Sequence, residues 1–166
     1  GSSGEIRFNV FAYDSCYAST SDGAGIRAEA STTTVFNNTF VGCYSVVNGS
    51  AFAGVFGGTT VFRNNAVTHS PRGAAVHATS TVITGNSCNL YWANAANFGN
   101  WTPAATDIIA DPLFCDLAAL DFTVRDDSPC LNPPTPSCAP IGALGAGCGM
   151  VAVEPTSFGR IKAMYR

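Results

Sequence analysis

The chain contains 166 residues, a length that fits a single domain with a sizeable core. Charged residues make up 11% of it and the formal net charge is −3, which argues against a nucleic-acid-binding surface. No apolar run reaches the roughly 18 residues that a membrane-spanning helix needs. The seven cysteines lack the CxxC spacing of zinc sites, so they indicate an oxidising compartment and a secreted or cell-surface location.

The first hundred residues repeat one pattern of short β-rich runs separated by Gly, Asn and Ser turns. The stretches STTTVFNNTF, TTVFRNNAV and TSTVITGNS align on Val35, Val61 and Val82, at intervals of 26 and 21 residues, and Ile6 fits an earlier copy. A repeat of this length without helices indicates a β-solenoid. We therefore predict an all-β β-solenoid of about four to six turns, with its repeat turns over residues 1–106 and the aligned valines in its core.

Asparagine recurs at the point where each predicted strand enters a turn. Asn tolerates the left-handed backbone conformation of a sharp bend, and stacked Asn side chains hydrogen-bond along a column. The sequence therefore favours an internal Asn ladder over a ligand site at these positions. The predicted rungs are Asn9, Asn38, Asn64 or Asn65, and Asn86.

Two groups of residues are candidates for contact with glycans. Exposed aromatic rings would stack on sugars, whereas buried ones would seal the last turn of the solenoid, and the second interpretation is favoured. The aromatic residues concerned are Tyr91, Trp92, Phe98 and Trp101. Asn37, Asn48 and Asn100 lie in N-x-S/T sequences, which are glycosylation acceptors in secreted proteins.

The carboxylates are distributed unlike those of a polysaccharide-cleaving enzyme. A lyase of this architecture needs acids on adjacent turns to hold Ca²⁺, and a hydrolase needs two acids at a set separation. Between Glu29 and Asp107 the chain has no Asp or Glu. We therefore expect no catalytic residues, no metal site and no cofactor. The aspartates from Asp107 to Asp127 are candidates for a structural Ca²⁺ site, but turn capping is favoured because Asp-Pro and Asp-Asp-Ser form turns.

The cysteines divide between the repeats and a closing segment, residues 107–150, that we assign to the same domain. Cys16, Cys43 and Cys88 each follow an Asn-containing strand by a few residues, which predicts that they stack in one column. The working pairs are Cys16–Cys43 between two turns, and Cys115–Cys130 and Cys138–Cys148 in the closing segment. The sequence does not fix the connectivity, and an odd count leaves one thiol unpaired or paired between chains.

The last residues, 151–166, differ in kind from the repeats. Phe158, Ile161 and Tyr165 fall at i, i+3 and i+7, on one face of a helix, and Ser157 is a suitable N-cap. We predict a short amphipathic helix that covers the C-terminal end of the solenoid.

The segment ADPLFCD…LDFTVRDDSPCLN…IGALGAGC resembles the closing turns of secreted bacterial right-handed parallel β-helix proteins, the pectate-lyase-like superfamily. The matching elements are Asp111–Phe114, Asp121–Val124, Ser128–Cys130 and Ile141–Ala143. With the upstream turns, the resemblance covers residues 5–148 and implies the fold and secretion. It implies no single activity, because members include lyases, hydrolases and adhesins. The tail SFGRIKAMYR resembles short aromatic-basic C-terminal tails of secreted bacterial proteins, which implies a sorting role.

The ends of the predicted solenoid carry the functional hypothesis. An uncovered end exposes unpaired backbone groups and apolar core, and the N-terminal end shows no obvious cap. The leading hypothesis is a non-catalytic, secreted structural β-helix that forms a homo-oligomer or a head-to-tail filament. The predicted contact residues are Glu5, Ile6 and Phe8 at one end, and Phe158, Ile161 and Tyr165 at the other. The alternative is the C-terminal part of a polysaccharide-active or carbohydrate-binding β-helix, or an adhesin that uses the aromatic residues.

Overall fold

The computed structural model describes residues 2–19 and 22–149, which form a parallel β-solenoid of about six turns and confirm the predicted fold class. The strands, in chain order, are β1 (Ser3–Arg7), β2 (Val10–Ala12), β3 (Ser15–Cys16), β4 (Ile26–Phe36), β5 (Thr39–Val41), β6 (Tyr44–Ser45), β7 (Phe52–Arg63), β8 (Ala66–Thr68), β9 (Ala74–Ala78), β10 (Val82–Ser87), β11 (Leu90–Trp92), β12 (Ala96–Gly99), β13 (Ile108–Ile109), β14 (Phe114–Asp116), β15 (Asp121–Arg125) and β16 (Ala146–Cys148). The one helical element in this part of the chain is a 3-10 turn at Pro136–Cys138. None of the described helical structure is long and apolar enough to cross a membrane.

Two parallel sheets form the main walls of the solenoid. One has the strand order β1-β4-β7-β9-β12, with β10 also paired to β7, and the other has the order β13-β11-β8-β5-β2. The long strands β4 and β7 each bend within their length, at Ala30 (φ 43°) and at Gly57 and Gly58 (φ 94° and 91°). A side chain on Gly58 would collide with the carbonyl group of Ser31, so this bend requires glycine.

The register of the first sheet corrects the predicted alignment. Ile6 pairs with Val35 as predicted, but Val35 pairs with Phe62, and Val61 lies beside Thr34 instead. Phe62 is fully buried, whereas Val61 is half-buried and Val82 is 59% exposed. Side chains alternate between the two faces of a strand, so a slip of one residue moves each side chain to the opposite face.

The repeats align correctly on the two adjacent residues at the bend. The adjacent asparagines of NNTF and NNAV lie in register, and the third repeat has Cys88 and Asn89 at the same two positions. The first residue of each pair adopts a left-handed conformation: φ is 56° at Phe8, 50° at Asn37, 54° at Asn64 and 60° at Cys88. Asn is one of the few residues with a side chain that visits this conformation readily.

Aromatic and β-branched side chains fill the interior column of the second sheet. Phe11 stacks on Phe40 with ring centroids 4.8 Å apart, and Val67 and Tyr91 continue the column. Phe40, Val67 and Tyr91 are fully buried. Burial of each such side chain stabilises the fold by about 1.5–3 kcal/mol, so the stacked column is a large part of the driving force for folding.

The closing segment packs against the outside of the second sheet. Antiparallel β14–β15 and parallel β15–β16 form a three-stranded sheet. Val124, Cys130 and Ile141 pack with the outward-facing Ala66 and Leu90. The segment therefore covers one wall as well as the end of the stack. The predicted tail helix, with Phe158, Ile161 and Tyr165, lies outside the described residues.

Candidate functional site

A hydrogen-bonded ladder of polar side chains runs along the solenoid at the bend before the second sheet. In each step the backbone N–H and the Nδ2 of one residue donate to the Oδ1 of the next. The steps are Asn9 to Asn38 (3.0 and 3.2 Å), Asn38 to Asn65 (3.0 and 3.1 Å), Asn65 to Asn89 (3.0 and 3.2 Å) and Asn89 to Asp107 (2.9 and 3.1 Å). The sequence intervals shorten along the ladder, from 29 to 27, 24 and 18 residues, while its geometry is maintained.

The side-chain amides of the ladder also donate hydrogen bonds to backbone carbonyls. Nδ2 of Asn38 also donates to the carbonyls of Ile6 and Phe36, and Nδ2 of Asn65 donates to those of Val35 and Arg63. Asn38, Asn65 and Asn89 are fully buried. Polar groups in such an environment stabilise a fold only when they are fully paired, and these are.

The hydrogen bonds of the ladder all run in one direction, and the ladder ends at an aspartate. Every Oδ1 points toward the preceding turn, so the amide donors of each rung point toward the following one. Asp107 is the last rung, and a carboxylate has no N–H to offer to a further one. Its Oδ2 accepts from the N–H of Ala104 at 2.9 Å and from Nδ2 of Asn86 at 3.2 Å, which pins the loop that closes the stack.

The predicted Asn ladder is confirmed at Asn9 and Asn38 and, of the alternatives Asn64 and Asn65, at Asn65; it is wrong at Asn86. Asn64 occupies the left-handed bend position, and its Nδ2 donates to the carbonyls of Cys138 and Pro140. Asn86 lies outside the column and contacts Thr102 and Asp107, so Asn89 takes the rung. The doubled Asn of NNTF and NNAV was the signal that separates the two roles.

The closing segment runs back along the outside of the bend and contacts three successive turns. Cys138 forms a disulfide with Cys88, and the carbonyl of Pro140 accepts from Nδ2 of Asn64 and of Asn37. In the same turn as Asn37, the N–H of Ala143 donates to Oγ1 of Thr39 at 2.9 Å. The clamped positions are therefore the left-handed bends of successive turns.

The predicted cysteine pairs are wrong. The disulfides are Cys88–Cys138, with Cα atoms 5.2 Å apart, and Cys115–Cys148, with Cα atoms 5.8 Å apart. The return of the closing segment along the bend takes Cys138 away from Cys148, and the pairing of β15 with β16 brings Cys148 near Cys115. Cys16–Cys43 does not form because Cys16 is in register with Ser45.

Cys43 and Cys130 are buried and are not part of a disulfide. Cys43 donates to the carbonyl of Phe11 at 3.6 Å, and burial, aided by the negative charge of Asp14, raises the pKa of Cys43 to about 12. Burial also raises the pKa of Cys130 to about 11, against a smaller opposing effect of the hydrogen bond with Ser128. Both are protonated at neutral pH, so neither is an activated nucleophile.

The first turn carries an exposed apolar surface, which we call the N-terminal edge (β1, β2, β3 and the bends between them). Its exposed side chains are Phe8 (58%), Val10 (37%), Tyr13 (50%) and Tyr17 (73%). Ile6 and Phe11 are only partly buried and pack against the core beneath them. Among the described strands, β1, β2 and β3 each pair on one side only, with β4, β5 and β6.

The four aromatic residues considered for sugar binding do not form a common platform. Tyr91 is fully buried, and Trp101 is 8% exposed and packs edge-on against Phe52 and Phe62. Phe98 contacts Tyr91 edge-on, and Trp92, at 36% exposed, is the ring that faces outward. The favoured interpretation, that these rings seal the last turn, is confirmed for Tyr91 and Trp101.

The asparagines of the three N-x-S/T sequences differ in their exposure to solvent. Nδ2 of Asn37 donates to the carbonyls of Pro140 and Gly142 and the residue is 9% exposed, so in the folded chain it is not the accessible acceptor predicted. Asn48 is half-buried and its Oδ1 accepts from the N–H of Ala74. Asn100 is exposed.

The aspartates of the closing segment cap turns, as favoured. Oδ1 of Asp111, Asp116 and Asp121 accepts from the N–H of Leu113, Ala119 and Thr123 respectively. Within the part of the chain that the structure describes, no group of three or more His, Cys, Asp or Glu could hold a metal ion.

Comparison with protein-family models, curated protein sequences and solved structures found no match to this chain.

Proposed function

We propose that this protein is a non-catalytic structural β-solenoid of an extracellular or cell-surface assembly. The observation that carries the proposal is the ladder of buried asparagines, in which the interior polar side chains join successive turns of the solenoid. The two disulfides are compatible with the oxidising environment that the proposal requires.

The distribution of polar groups supports a structural role. The buried asparagines and Asp107 are engaged in the ladder, the closing-segment aspartates cap turns, and the exposed Arg27 and Arg125 pair with neighbouring acids. The ladder joins successive turns, whereas the turn caps and the ion pairs join residues two or three positions apart. The head-to-tail filament predicted from the sequence is one geometry such an assembly can take.

Electron microscopy of the purified chain, together with sedimentation at several concentrations, tests the proposal. We expect discrete oligomers or filaments whose population grows with concentration. A monodisperse monomer at high concentration with an intact fold would overturn the association, and turnover of a polyuronide or neutral glycan would overturn the structural role.

A further inference from the structure

We propose that the Phe56 side chain of one copy of this chain inserts into a cavity in the closing segment of a second copy. The inference deepens the proposed function and rests on it, since it names the partner and the two surfaces through which the assembly forms. Both surfaces consist of residues inside the chain, with described residues before and after them.

The first surface is a bulge in β7 from which Phe56 projects. At this bend β7 has two residues, Phe56 and Gly57, where the paired strand β4 has Ala30 alone. An extra residue in one strand bends that strand and re-aims a side chain. The ring of Phe56 is 72% exposed, and its backbone is left-handed, with φ 60°. The following turn has Ser80 at the same bend, so the ring stands between two small side chains.

The left-handed backbone of Phe56 brings its own chain little benefit. This conformation is unfavourable for a residue with a Cβ atom, and burial of the ring would compensate for it. The ring is exposed instead. A backbone outlier of this kind points to a function other than local packing.

The second surface is a cavity of about 310 Å³ on the closing segment. Four of its five lining residues are apolar, and the fifth is an asparagine whose Nδ2 already donates to the carbonyls of Asp126 and Ser128. Pockets for drug-sized ligands begin at roughly 300 Å³, so this one suits a single side chain. The lining residues are Leu131, Asn132, Pro133, Pro136 and Ala139.

The walls of the cavity are fixed by covalent and hydrogen bonds. Cys138 is joined to the stack by its disulfide with Cys88. The N–H groups of Cys138 and Ala139 donate to the carbonyls of Thr135 and Pro136, at 2.9 and 3.2 Å. The proline rings also restrict the backbone around them. A preformed cavity loses little conformational freedom when it is filled, which favours binding.

The two surfaces lie apart in one copy. The closing segment contacts the solenoid at the bend that includes Asn64 and Cys88, beyond the last residue of β7. Seven residues of extended strand, 57–63, or roughly 20 Å, separate that bend from Phe56. A side chain and a cavity at different sites make a heterologous contact between copies. Repetition of that contact gives an open filament or, if the rotation allows it, a closed ring of copies.

The charges beside the two surfaces are complementary. The Arg27 guanidinium lies 5.7 Å from the centroid of the Phe56 ring and pairs with Glu29 through Nε. Its other N–H donors allow it to bind a second carboxylate. The closing segment carries six aspartates and one arginine, and Asp126 is exposed beside the cavity. Insertion of Phe56 would bring Arg27 to this acidic surface, and such aromatic and arginine pairs dominate many interfaces.

The test uses variants of the full chain and sedimentation over a range of concentrations. Phe56→Gly removes the ring and suits the left-handed backbone, so thermal stability should be unchanged or higher. Ala139→Arg fills the cavity from an exposed position, and Pro136→Arg repeats the test if that variant folds poorly. Each should raise the concentration at which half of the copies associate at least about tenfold. Leu120→Gly is the matched control, because Leu120 is also exposed (59%) with φ 61°, and it should leave association unchanged.

Mixing the two variants gives the decisive result. F56G keeps the cavity and A139R keeps the ring, so an equimolar mixture should form one-to-one complexes that do not grow further. The double variant F56G/A139R has neither surface and should associate with neither single variant. Asp126→Arg should weaken the mixed complex about threefold when it is placed in the F56G copy, and should have no effect in the A139R copy.

The other outcomes separate this inference from the function on which it rests. Association that neither single variant weakens would overturn the contact and keep a structural assembly. A loss of stability in F56G would show that the ring serves its own chain, and would also overturn the contact. A chain that associates only after removal of residues 151–166 would show that the tail fills the cavity, and would overturn the second copy as its occupant. A monomer under all conditions would overturn both proposals.

Discussion

Asp107 accepts two hydrogen bonds from Asn89 on a single oxygen: the backbone N–H at 2.9 Å and Nδ2 at 3.1 Å from Oδ1. The preceding rungs repeat this geometry with asparagine as the acceptor. The exchange of an amide for a carboxylate at the last rung keeps the acceptor for Asn89 and provides a second acceptor for the closing loop.

Asp107→Asn should therefore destabilise the chain although it restores the ladder residue. The amide nitrogen would face either the donors of Asn89 or the N–H of Ala104, and an unsatisfied donor at this half-buried position should cost about 1 kcal/mol, the low end of the range for buried groups. Urea unfolding measures the loss. Asp111→Asn, at an exposed turn cap, is the control and should change stability by less than about 0.5 kcal/mol. Equal effects of the two substitutions would contradict the special role of Asp107.

Asn65→Ala should be among the most damaging single substitutions. It removes the acceptor for Asn38 at a fully buried position, and it takes one donor away from each of the carbonyls of Val35 and Arg63. We expect a loss of at least about 3 kcal/mol in unfolding free energy. Asn64→Gly, one residue away, keeps the left-handed bend and loses only contacts with the closing segment, so about 1 kcal/mol is expected. A reversed order would show that Asn64 is the ladder residue.

Peptide mapping without reduction should find Cys88 linked to Cys138 and Cys115 linked to Cys148. The first bond closes a span of 50 residues and joins the closing segment to the stack. The double substitution Cys88→Ser with Cys138→Ser should therefore lower the unfolding free energy by about 2–4 kcal/mol. The second closes 33 residues, and its removal should cost slightly less. A Cys115–Cys130 or Cys138–Cys148 peptide would contradict this arrangement.

Cys43 and Cys130 should resist alkylation in the native chain. With pKa values raised by burial to about 12 and about 11, both thiols are protonated at pH 8 and lie in the core. The thiolate is the reactive form, so labelling by iodoacetamide should require unfolding. Mass spectrometry with and without guanidinium checks this, and rapid labelling of Cys43 without denaturant would show that the core opens readily.

Acid should destabilise the fold in part through His77. Burial lowers the pKa of His77 below its ordinary value of 6.5, with a weaker opposing effect of Asp22. The unfolded chain then binds a proton more readily than the folded one, so stability falls as the pH drops below about 6.5. His77→Gln should flatten the unfolding free energy between pH 7 and pH 5 relative to the natural chain. An unchanged slope would assign the effect to other groups.

The fold class could be predicted from the repeats because each turn of a solenoid must solve the same local problem. Short β-rich runs and recurrent Asn at bends are required in every turn, so they recur visibly in the sequence. The register of the strands was harder to predict. Both TVFNN and TVFRNN contain a valine, but the second has one more residue between that valine and the Asn pair. Backbone hydrogen bonds and the ladder decide in favour of the Asn pair, and Phe62, not Val61, enters the core.

The sequence by itself determined the stack of short β-strands and the use of an Asn ladder at its bends. Only the tertiary structure decided how the closing segment returns along the bend, which cysteines meet, and that Asp107 terminates the ladder. These depend on contacts between residues far apart in the chain, such as Asn37 with Pro140 and Cys88 with Cys138. Such contacts have no local pattern, because side chains of many kinds satisfy them once the backbone brings them together.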